Sequence, residues 1–326
     1  MNSSRQDTRL WDQFWNAGRA SCCSDQDGTE NAEVLRRQWV ELFADTRDGG
    51  RALDLCTGNG AVLDIASETA RECGKSFDLC GVDSAAIAPD FGESSGKQAI
   101  PFFVRASVTA LPFVDAAFNV VTSQFGVEYA PLEAAISEAM RVLAEGGEAR
   151  FVTHAKAGMT ATRAAAELGD IAELEDDISI FPAAIDALTR VCEVERARSP
   201  ASPGTIAKAR QAHDAFQARL AGMAENLPQR AAQAVFRDAG SILQHTFRNR
   251  QAFPLEVLLD KVRETELSVD LHRDRLQALV DAAFDEDACR HLVATCKTHG
   301  AKQAAFDSIA AADGATTIAW VVTISK

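Results

Sequence analysis

The stretch that decides the fold spans residues 51–63 and reads Arg-Ala-Leu-Asp-Leu-Cys-Thr-Gly-Asn-Gly-Ala-Val-Leu. An apolar run ends at a Gly-x-Gly turn, formed by Gly58 and Gly60, and a helical pattern follows it. This order is typical of a strand that feeds a nucleotide-binding turn, where glycine lets the backbone approach a ligand closely. Asp54 places a carboxylate at the mouth of the same strand. A carboxylate there repels a pyrophosphate but suits a cationic ligand.

A dinucleotide site is the alternative for this turn. The Gly-x-Gly-x-x-Gly motif needs a third glycine at position 63, where this chain has Leu63. That glycine allows close packing of helix and strand beside the pyrophosphate. Its absence weakens the nicotinamide interpretation without excluding it.

Four further segments follow in a regular order. Residues 78–83 form an apolar strand that ends in Asp83, a position from which a carboxylate accepts hydrogen bonds from both ribose hydroxyls. Strands are then predicted near residues 101–106, 118–123 and 149–154, and a helix near residues 138–147 is expected to stop at Gly146-Gly147.

Taken in order, these segments resemble the class I S-adenosylmethionine-dependent methyltransferases, and in particular the small-molecule branch that includes the ubiquinone and menaquinone C-methyltransferases. The motifs are Asp-x-Cys-x-Gly-x-Gly, the strand-end Asp83, Leu-Pro-Phe-x-Asp and Arg-Val-Leu-x-x-Gly-Gly, within about residues 48–156. The resemblance implies an α/β, Rossmann-like fold: a seven-stranded methyltransferase sheet with helices on both faces. It also implies S-adenosyl-L-methionine as the cofactor.

Three positions depart from the usual pattern of these enzymes. Cys56 stands where the first glycine of the turn is common, and small residues are tolerated there. Ser107 stands in place of an aspartate that holds the adenine amino group, and a hydroxyl is a weaker acceptor than a carboxylate. Asn119 replaces an aspartate, a mild change if that aspartate is mainly structural.

The helical and strand patterns of the sequence predict four regions in the chain. An N-terminal helical cap is expected over residues 1–47, and the cofactor-binding core over 48–156. A helical insertion or lid is expected over 157–298, and a C-terminal β-hairpin over 299–326 that completes the sheet. Helices are predicted within the N-terminal and inserted parts at about residues 8–20, 31–45, 203–223, 228–247, 254–267, 271–284 and 285–298.

The charge balance and the cysteine content of the chain exclude or disfavour several classes of function. Among 326 residues, 33 are Lys or Arg and 47 are Asp or Glu, and this acidic balance argues against a nucleic-acid substrate. The chain shows no signal peptide and no apolar stretch of membrane-spanning length, so a cytoplasmic protein is expected. Eight scattered cysteines are typical of reduced thiols, and Cys22-Cys23 lacks the second Cys or His pair of a zinc site, so no metal site is predicted.

The resemblance assigns cofactor contacts residue by residue. Asp54 is expected to face the amino group of the cofactor, and Asp83 its ribose hydroxyls; a solvated acid and a helix N-cap are their respective alternatives. Ser107 and Val108 are expected to flank the adenine. The full set of predicted cofactor-binding residues is Asp54, Cys56, Gly58, Gly60, Asp83, Ser84, Ser107, Val108 and Gln124.

Catalytic and substrate residues are predicted at the same sheet edge. Glu128 and His154 follow the fourth and fifth strands and are the candidates for a base, although a solvated acid and a structural histidine are the simpler alternatives. Trp11 and Trp15 belong to an aromatic stripe that either covers a ligand or packs as ordinary core, and Phe125 is a further candidate for substrate contact.

The expected function is transfer of a methyl group to a small molecule by in-line displacement, for which the protein mainly supplies alignment and a dry pocket. A quinone, lipid or natural product is favoured, and oligomeric state is undetermined. Three alternatives stay open: a nicotinamide-dependent oxidoreductase, a degenerate fold that serves as a non-catalytic scaffold, and a protein or nucleic-acid methyltransferase. The last is disfavoured because Ser-Gln-Phe-Gly follows the fourth strand instead of an Asn-Pro-Pro-Tyr motif.

Overall fold

The computed structural model describes residues 3–16, 28–89, 101–177, 180–226 and 230–326. The chain forms two compact units, one made of Met1–Thr162 with Ala278–Lys326 and the other of Arg163–Gln277. The strands, all in the first unit, are β1 (Gly50–Leu55), β2 (Phe77–Asp83), β3 (Phe102–Arg105), β4 (Phe118–Gln124), β5 (Leu143–His154), β6 (Gln303–Ala310) and β7 (Thr317–Ser325). The helices are α1 (Ser3–Asn16), α2 (Gly28–Asp45), α3 (Ala61–Glu72), α4 (Leu132–Val142), α5 (Met159–Asp177), α6 (Ile180–Glu195), α7 (Pro203–Asn226), α8 (Gln233–Arg248), α9 (Leu255–Ala282) and α10 (Glu286–Thr298).

The seven strands form one sheet in the order β3-β2-β1-β4-β5-β7-β6. The first five are parallel, whereas β7 pairs antiparallel with both β5 and β6. Central parallel strands are covered on both faces, and accordingly every residue of β1 and β2 except the second of each strand is buried. The predicted seven-stranded methyltransferase sheet with a C-terminal hairpin is confirmed.

Two apolar clusters lie on the two faces of this sheet. One joins the strands to α2 and α3 through Trp39 and Leu63, and the other joins them to α4 and α10 through Ile136 and Leu292. All four side chains are fully buried. Side chains alternate between the faces along each strand, so Ala52 and Val120 face α2 and α3 whereas the residues after them face α4 and α10.

The glycine pair after α4 does not end that helix, contrary to the prediction. The helix ends at Val142 and β5 begins at Leu143. Gly146 has φ +74°, and the register between β4 and β5 shifts between Phe118 and Val120. Glycine is needed here because a Cβ on Gly147 would lie 2.8 Å from two backbone carbonyl oxygens. The pair therefore allows an irregular strand start.

The second unit contains α6–α8 and the greater part of α5 and α9. The helices predicted at 254–267 and 271–284 are one continuous helix, α9. The predicted start at Pro228 lies outside the described residues, and α8 begins at Gln233. Phe216 of α7 and Leu243 of α8 are buried, so these two helices contribute side chains to the core of this unit.

Residues 285–298, which the sequence pattern grouped with the insertion, form α10. Asp285 caps this helix by accepting a hydrogen bond from the backbone N–H of Ala288. The helix packs on α4 and the C-terminal hairpin and belongs to the first unit. Among the described residues, no helix combines the length and apolar character needed to cross a membrane.

Asn119 has a structural role at the start of β4. Its Oδ1 atom accepts a hydrogen bond from the backbone N–H of Arg51 at 3.0 Å, which ties β4 to β1. Either an amide or a carboxylate oxygen can make this bond, which explains why the departure from aspartate is mild.

We predict that Asn119→Ala lowers the free energy of unfolding by about 1 kcal/mol, because the Arg51 N–H loses its acceptor. Asn119→Asp retains an acceptor and should stay within about 0.5 kcal/mol of the parent protein. Urea unfolding followed by circular dichroism measures both variants. Equal destabilisation by alanine and aspartate would contradict the assigned role.

Candidate active site

The candidate site lies at the carboxyl edge of β1, β2, β4 and β5, where ligands bind in open parallel sheets. Asp54, on β1, is 2% exposed, and its Oδ1 atom accepts a hydrogen bond from the Thr122 hydroxyl at 2.8 Å. Burial raises the pKa of Asp54 to about 7; the bond from Thr122 opposes this shift, and the nearby charge of Asp83 adds to it. The carboxyl group is therefore poised to ionise when a cation approaches.

Asp83 ends β2 and organises the glycine turn. Its Oδ2 atom accepts a hydrogen bond from the backbone N–H of Gly58 at 2.9 Å, and its Oδ1 atom accepts one from that of Ala85 at 2.8 Å. Burial raises the pKa of Asp83, whereas the hydrogen bonds from these backbone N–H groups lower it. Each carboxylate oxygen has a second lone pair, so contact with ribose hydroxyls is compatible with these bonds.

Cys56 lies among three acidic side chains. Its backbone is left-handed, with φ +53°, at the position where glycine is common. Burial raises the pKa of the Cys56 thiol well above its usual value, and the charges of Asp83, Glu128 and Asp54 add to the shift. The thiol is therefore held in its protonated form, in an environment made acidic by the three neighbouring side chains.

Glu128 and His154, the two predicted bases, lie together. Glu128 Oε1 is 2.9 Å from His154 Nδ1 and accepts a hydrogen bond from the His154 backbone N–H at 3.0 Å. Both side chains are almost completely buried. Among the described residues, Glu128 Oε2 is a buried oxygen without a hydrogen-bond partner. A carboxylate at Nδ1 selects the tautomer in which Nε2 is the basic nitrogen.

Aromatic rings surround this Glu–His pair. The Phe125 ring lies 4.2 Å from the His154 ring at 32°, and Tyr129 approaches the same ring edge-on at 6.0 Å. Phe125 has φ +54°, which turns the chain sharply after β4. Trp11 on α1 contacts Tyr129 edge-on at 5.1 Å. The pair therefore lies in an aromatic environment partly built by α1.

The same helix covers the glycine turn. A Cβ on Gly58 would lie 2.3 Å from the Trp15 indole, so the ring occupies the space that a side chain at residue 58 would fill. Asn59 Nδ2 donates a hydrogen bond to the Trp15 carbonyl, and Asp12 Oδ1 accepts one from the backbone N–H of Ala86 at 2.5 Å. A ligand that approaches this face of Gly58 must displace Trp15.

Other predicted residues are engaged elsewhere. Ser107 Oγ lies 2.8 Å from Thr109 Oγ1 and accepts the backbone N–H of Thr109, within a local turn. Val108 is buried in the core cluster on the α4 side of the sheet. Ser84 is exposed, and its carbonyl accepts a hydrogen bond from Arg105. Gly60 has φ +86° and is the N-cap of α3.

Gln124 does not stand free at the end of β4. Its Oε1 atom accepts a hydrogen bond from the Trp39 indole N–H at 2.5 Å. Trp39 lies within the helix predicted at residues 31–45, whose pattern gave no sign of this contact, and Thr122 was not among the predicted site residues. The signal for Thr122 was its position two residues before Gln124, which places both side chains on one face of β4.

The donor set fits S-adenosyl-L-methionine. This cofactor carries a sulfonium, an ammonium and a ribose diol, and the edge presents buried carboxylates at Asp54, Asp83 and Glu128. The unpartnered Glu128 Oε2 and the raised pKa of Asp54 both indicate a site that gains from a cation. The sheet order and this acidic edge are similar to the core that the resemblance to the class I S-adenosylmethionine-dependent methyltransferases implies.

Comparison with known proteins supports this class. Residues 31–169 match the model of the ubiE/COQ5 methyltransferase family. Over 117 residues the chain is 38% identical to a demethylmenaquinone methyltransferase of Thermus thermophilus, covering 34% of this chain and 50% of the relative. Over 126 residues it is 33% identical to the ubiquinone/menaquinone biosynthesis C-methyltransferase UbiE of Xylella fastidiosa, covering 36% and 49%. The chain thus spans about half the length of the curated relatives it matches, and the predicted resemblance is confirmed.

The crystal structure of the YcgJ protein from Bacillus subtilis is similar to part of this chain. It is 23% identical with a TM-score of 0.31, covering 36% of this chain and 51% of that one.

We predict that Asp54→Asn stabilises the ligand-free protein at high pH. The folded-state pKa of about 7 exceeds the ordinary value of 3.8 for an aspartate, so the stability that this group contributes is complete at low pH and is lost as the pH rises towards 7. The variant retains an acceptor for Thr122 and should be about 2–4 kcal/mol more stable than the parent at pH 8, but equal to it near pH 4.

Thermal and urea unfolding at the two pH values measures this difference. Asp307→Asn, an exposed change on β6, is the control and should show no such pH dependence. A variant at Asp54 that is no more stable than the parent at pH 8 would contradict the buried, destabilising charge.

Proposed function

We propose that this protein is an S-adenosylmethionine-dependent methyltransferase that acts on a small aromatic hydroxyl compound of the hydroquinone class. The proposal is carried by three buried acidic side chains, Asp54, Asp83 and Glu128, at the sheet edge that holds the Gly58 turn, because such a site is electrostatically suited to a cationic cofactor. When bound, the cofactor supplies an electrophilic methyl group on a sulfonium. The residues of the chain have to bind, align and desolvate the reactants.

Asp54 and Asp83 hold two different parts of the cofactor in this proposal, its amino-acid end and its ribose. Asp54 pairs with the α-ammonium group, which favours its ionised form and offsets the effect of burial. Asp83 accepts the ribose hydroxyls while it keeps the Gly58 and Ala85 backbone N–H groups in place. The amino-acid end and the ribose of the cofactor are thereby fixed relative to the sheet, and in-line displacement requires such alignment.

Glu128 and His154 act together on the substrate. Glu128 orients the imidazole through Nδ1, and Nε2 takes the proton from the substrate hydroxyl. Loss of that proton makes the aromatic ring or its oxygen a better nucleophile. The names of the two curated relatives, a demethylmenaquinone methyltransferase and a ubiquinone/menaquinone C-methyltransferase, agree with a substrate of this chemistry.

The aromatic face of α1 supplies the dry environment. Trp15 covers the Gly58 turn, and Trp11 contacts Tyr129, which in turn contacts His154. Displacement and return of one helix would thus open and close the cofactor turn and the Glu–His pair together. Exclusion of water strengthens the interaction of the sulfonium with the buried carboxylates.

The cofactor assignment predicts micromolar binding of S-adenosylhomocysteine, measured by isothermal titration calorimetry. Asp83→Asn should weaken this binding at least about tenfold, because the ribose loses a charged acceptor. Asp78→Asn, an exposed change on the same strand, should bind like the parent. Circular dichroism establishes that the variants are folded, since Asp83 also supports the turn.

Absence of binding to the parent protein would reject the enzyme proposal and favour a scaffold role. Binding of NADH or NADPH instead would favour an oxidoreductase.

Glu128→Gln should lower the rate of methyl transfer about 100-fold while it changes S-adenosylhomocysteine affinity little, because the neutral amide no longer stabilises the protonated imidazole. The assay follows labelled methyl transfer from S-adenosylmethionine to a prenylated 1,4-naphthohydroquinone. Glu167→Gln alters a second Glu–His pair, with Glu167 Oε1 2.7 Å from His272 Nε2, and is the matched control. Equal loss of rate in both variants, or none in Glu128→Gln, would contradict the role of Glu128.

A further inference from the structure

Trp39 is fully buried in the middle of α2, in the cluster that packs α2 and α3 on the sheet. Phe125 and Val152 belong to the same cluster. An indole N–H buried in such surroundings costs free energy unless it finds an acceptor. Its acceptor is Gln124 Oε1, which lies 85 residues further along the chain. The core of the protein therefore determines the orientation of a side chain at the site edge.

The chemistry of this hydrogen bond fixes which way the amide points. An indole nitrogen only donates, so it must meet the oxygen of the amide rather than its nitrogen. The two N–H groups on Gln124 Nε2 are thereby directed away from Trp39. Because the amide is held at its oxygen, it cannot exchange its donor and acceptor ends without leaving the indole N–H unpaired.

Gln124 shares one face of the sheet with Asp54. Ala52 and Val120 belong to the cluster on the α2 side, so Asp54 and Gln124, which follow them at even spacing, face the same side. Thr122, between Val120 and Gln124, hydrogen-bonds to Asp54 and confirms this alternation. A carboxylate that accepts and an amide that donates thus lie on neighbouring strands, at the edge where the parallel strands end.

We propose that Trp39 is a positioning residue that orients the Gln124 amide to donate to the α-carboxylate of the cofactor, while Asp54 accepts from its α-ammonium group. This inference rests on the proposed function and deepens it. The pair matches an amino-acid end group, which carries one acceptor and one donor of opposite charge. The indole makes the pair selective, because a rotated amide would present its oxygen to the ligand carboxylate.

The test compares two ligands in Trp39→Phe, which keeps an aromatic ring in the core and removes the N–H. S-adenosylhomocysteine carries the amino-acid end, and 5′-methylthioadenosine lacks it. We expect Trp39→Phe to weaken S-adenosylhomocysteine binding about fivefold to tenfold and to leave 5′-methylthioadenosine binding unchanged. Gln124→Met should show the same selective loss, and the double variant should lose no more than Gln124→Met alone.

Trp320→Phe is the matched control. Trp320 lies on the C-terminal hairpin, and its indole N–H donates a hydrogen bond to the Phe284 carbonyl at 2.9 Å. It should bind both ligands like the parent. Equal weakening of both ligands in Trp39→Phe, no weakening of either, or additive losses in the double variant would overturn the inference. Failure of the parent protein to bind either ligand would instead overturn the proposed function, so the two failures are distinguishable.

Discussion

Burial of several carboxylates at one sheet edge is the constraint on which the rest of the site depends. Asp54, Asp83 and Glu128 are each less than a tenth exposed, and all three act on Cys56. Burial is the main cause that raises the pKa values of Asp54 and Asp83, and a nearby acid adds to each shift: Asp83 to that of Asp54, and Asp12 to that of Asp83. Each acid therefore has a partner that tolerates charge: a hydroxyl for Asp54, two backbone N–H groups for Asp83 and an imidazole for Glu128.

These partners come from the fold rather than from one local motif. The Gly58 N–H reaches Asp83 because the turn after β1 is left-handed, and left-handed geometry is what glycine permits. Thr122 reaches Asp54 because β1 and β4 are neighbours in the sheet although their residues are 68 apart in the chain. The strand order places β4 beside β1 although β2 and β3 lie between them in the chain. The hydrogen bond that supports the buried Asp54 carboxyl group therefore depends on this strand order.

Much of this architecture could be predicted from the sequence, for physical reasons. The strands and the cofactor edge were indicated by apolar runs that end in glycine or acid, which is local information, and the seven-stranded sheet was implied by the resemblance that these motifs carry. The end of α4 was predicted wrongly because Gly146-Gly147 resembles a helix stop, whereas Gly147 is required by the nearby carbonyl oxygens of Ala144 and Asn119 and Gly146 by its left-handed backbone. The Glu128–His154 contact and the Trp39–Gln124 bond were not predictable, because both depend on where distant elements pack and neither leaves a periodic signal. The position of a single candidate residue was predictable where one strand end determines it, as for Asp54 and Asp83, whereas the roles of these residues stay predictions.

The buried acids of this site lower the stability of the ligand-free protein and increase its affinity for a cation. In the absence of a cation, the buried carboxylates destabilise the fold at neutral pH, and Trp15 shields the turn from water. A cation that binds there removes the repulsion, so part of its binding free energy comes from relief of this cost rather than from new contacts. The same reasoning explains why the acids are held by neutral or weakly basic groups: a permanent arginine or lysine partner would satisfy the charge and leave nothing for the ligand to neutralise. The modest hydrogen bonds to Asp54 and Glu128 are therefore part of the binding mechanism.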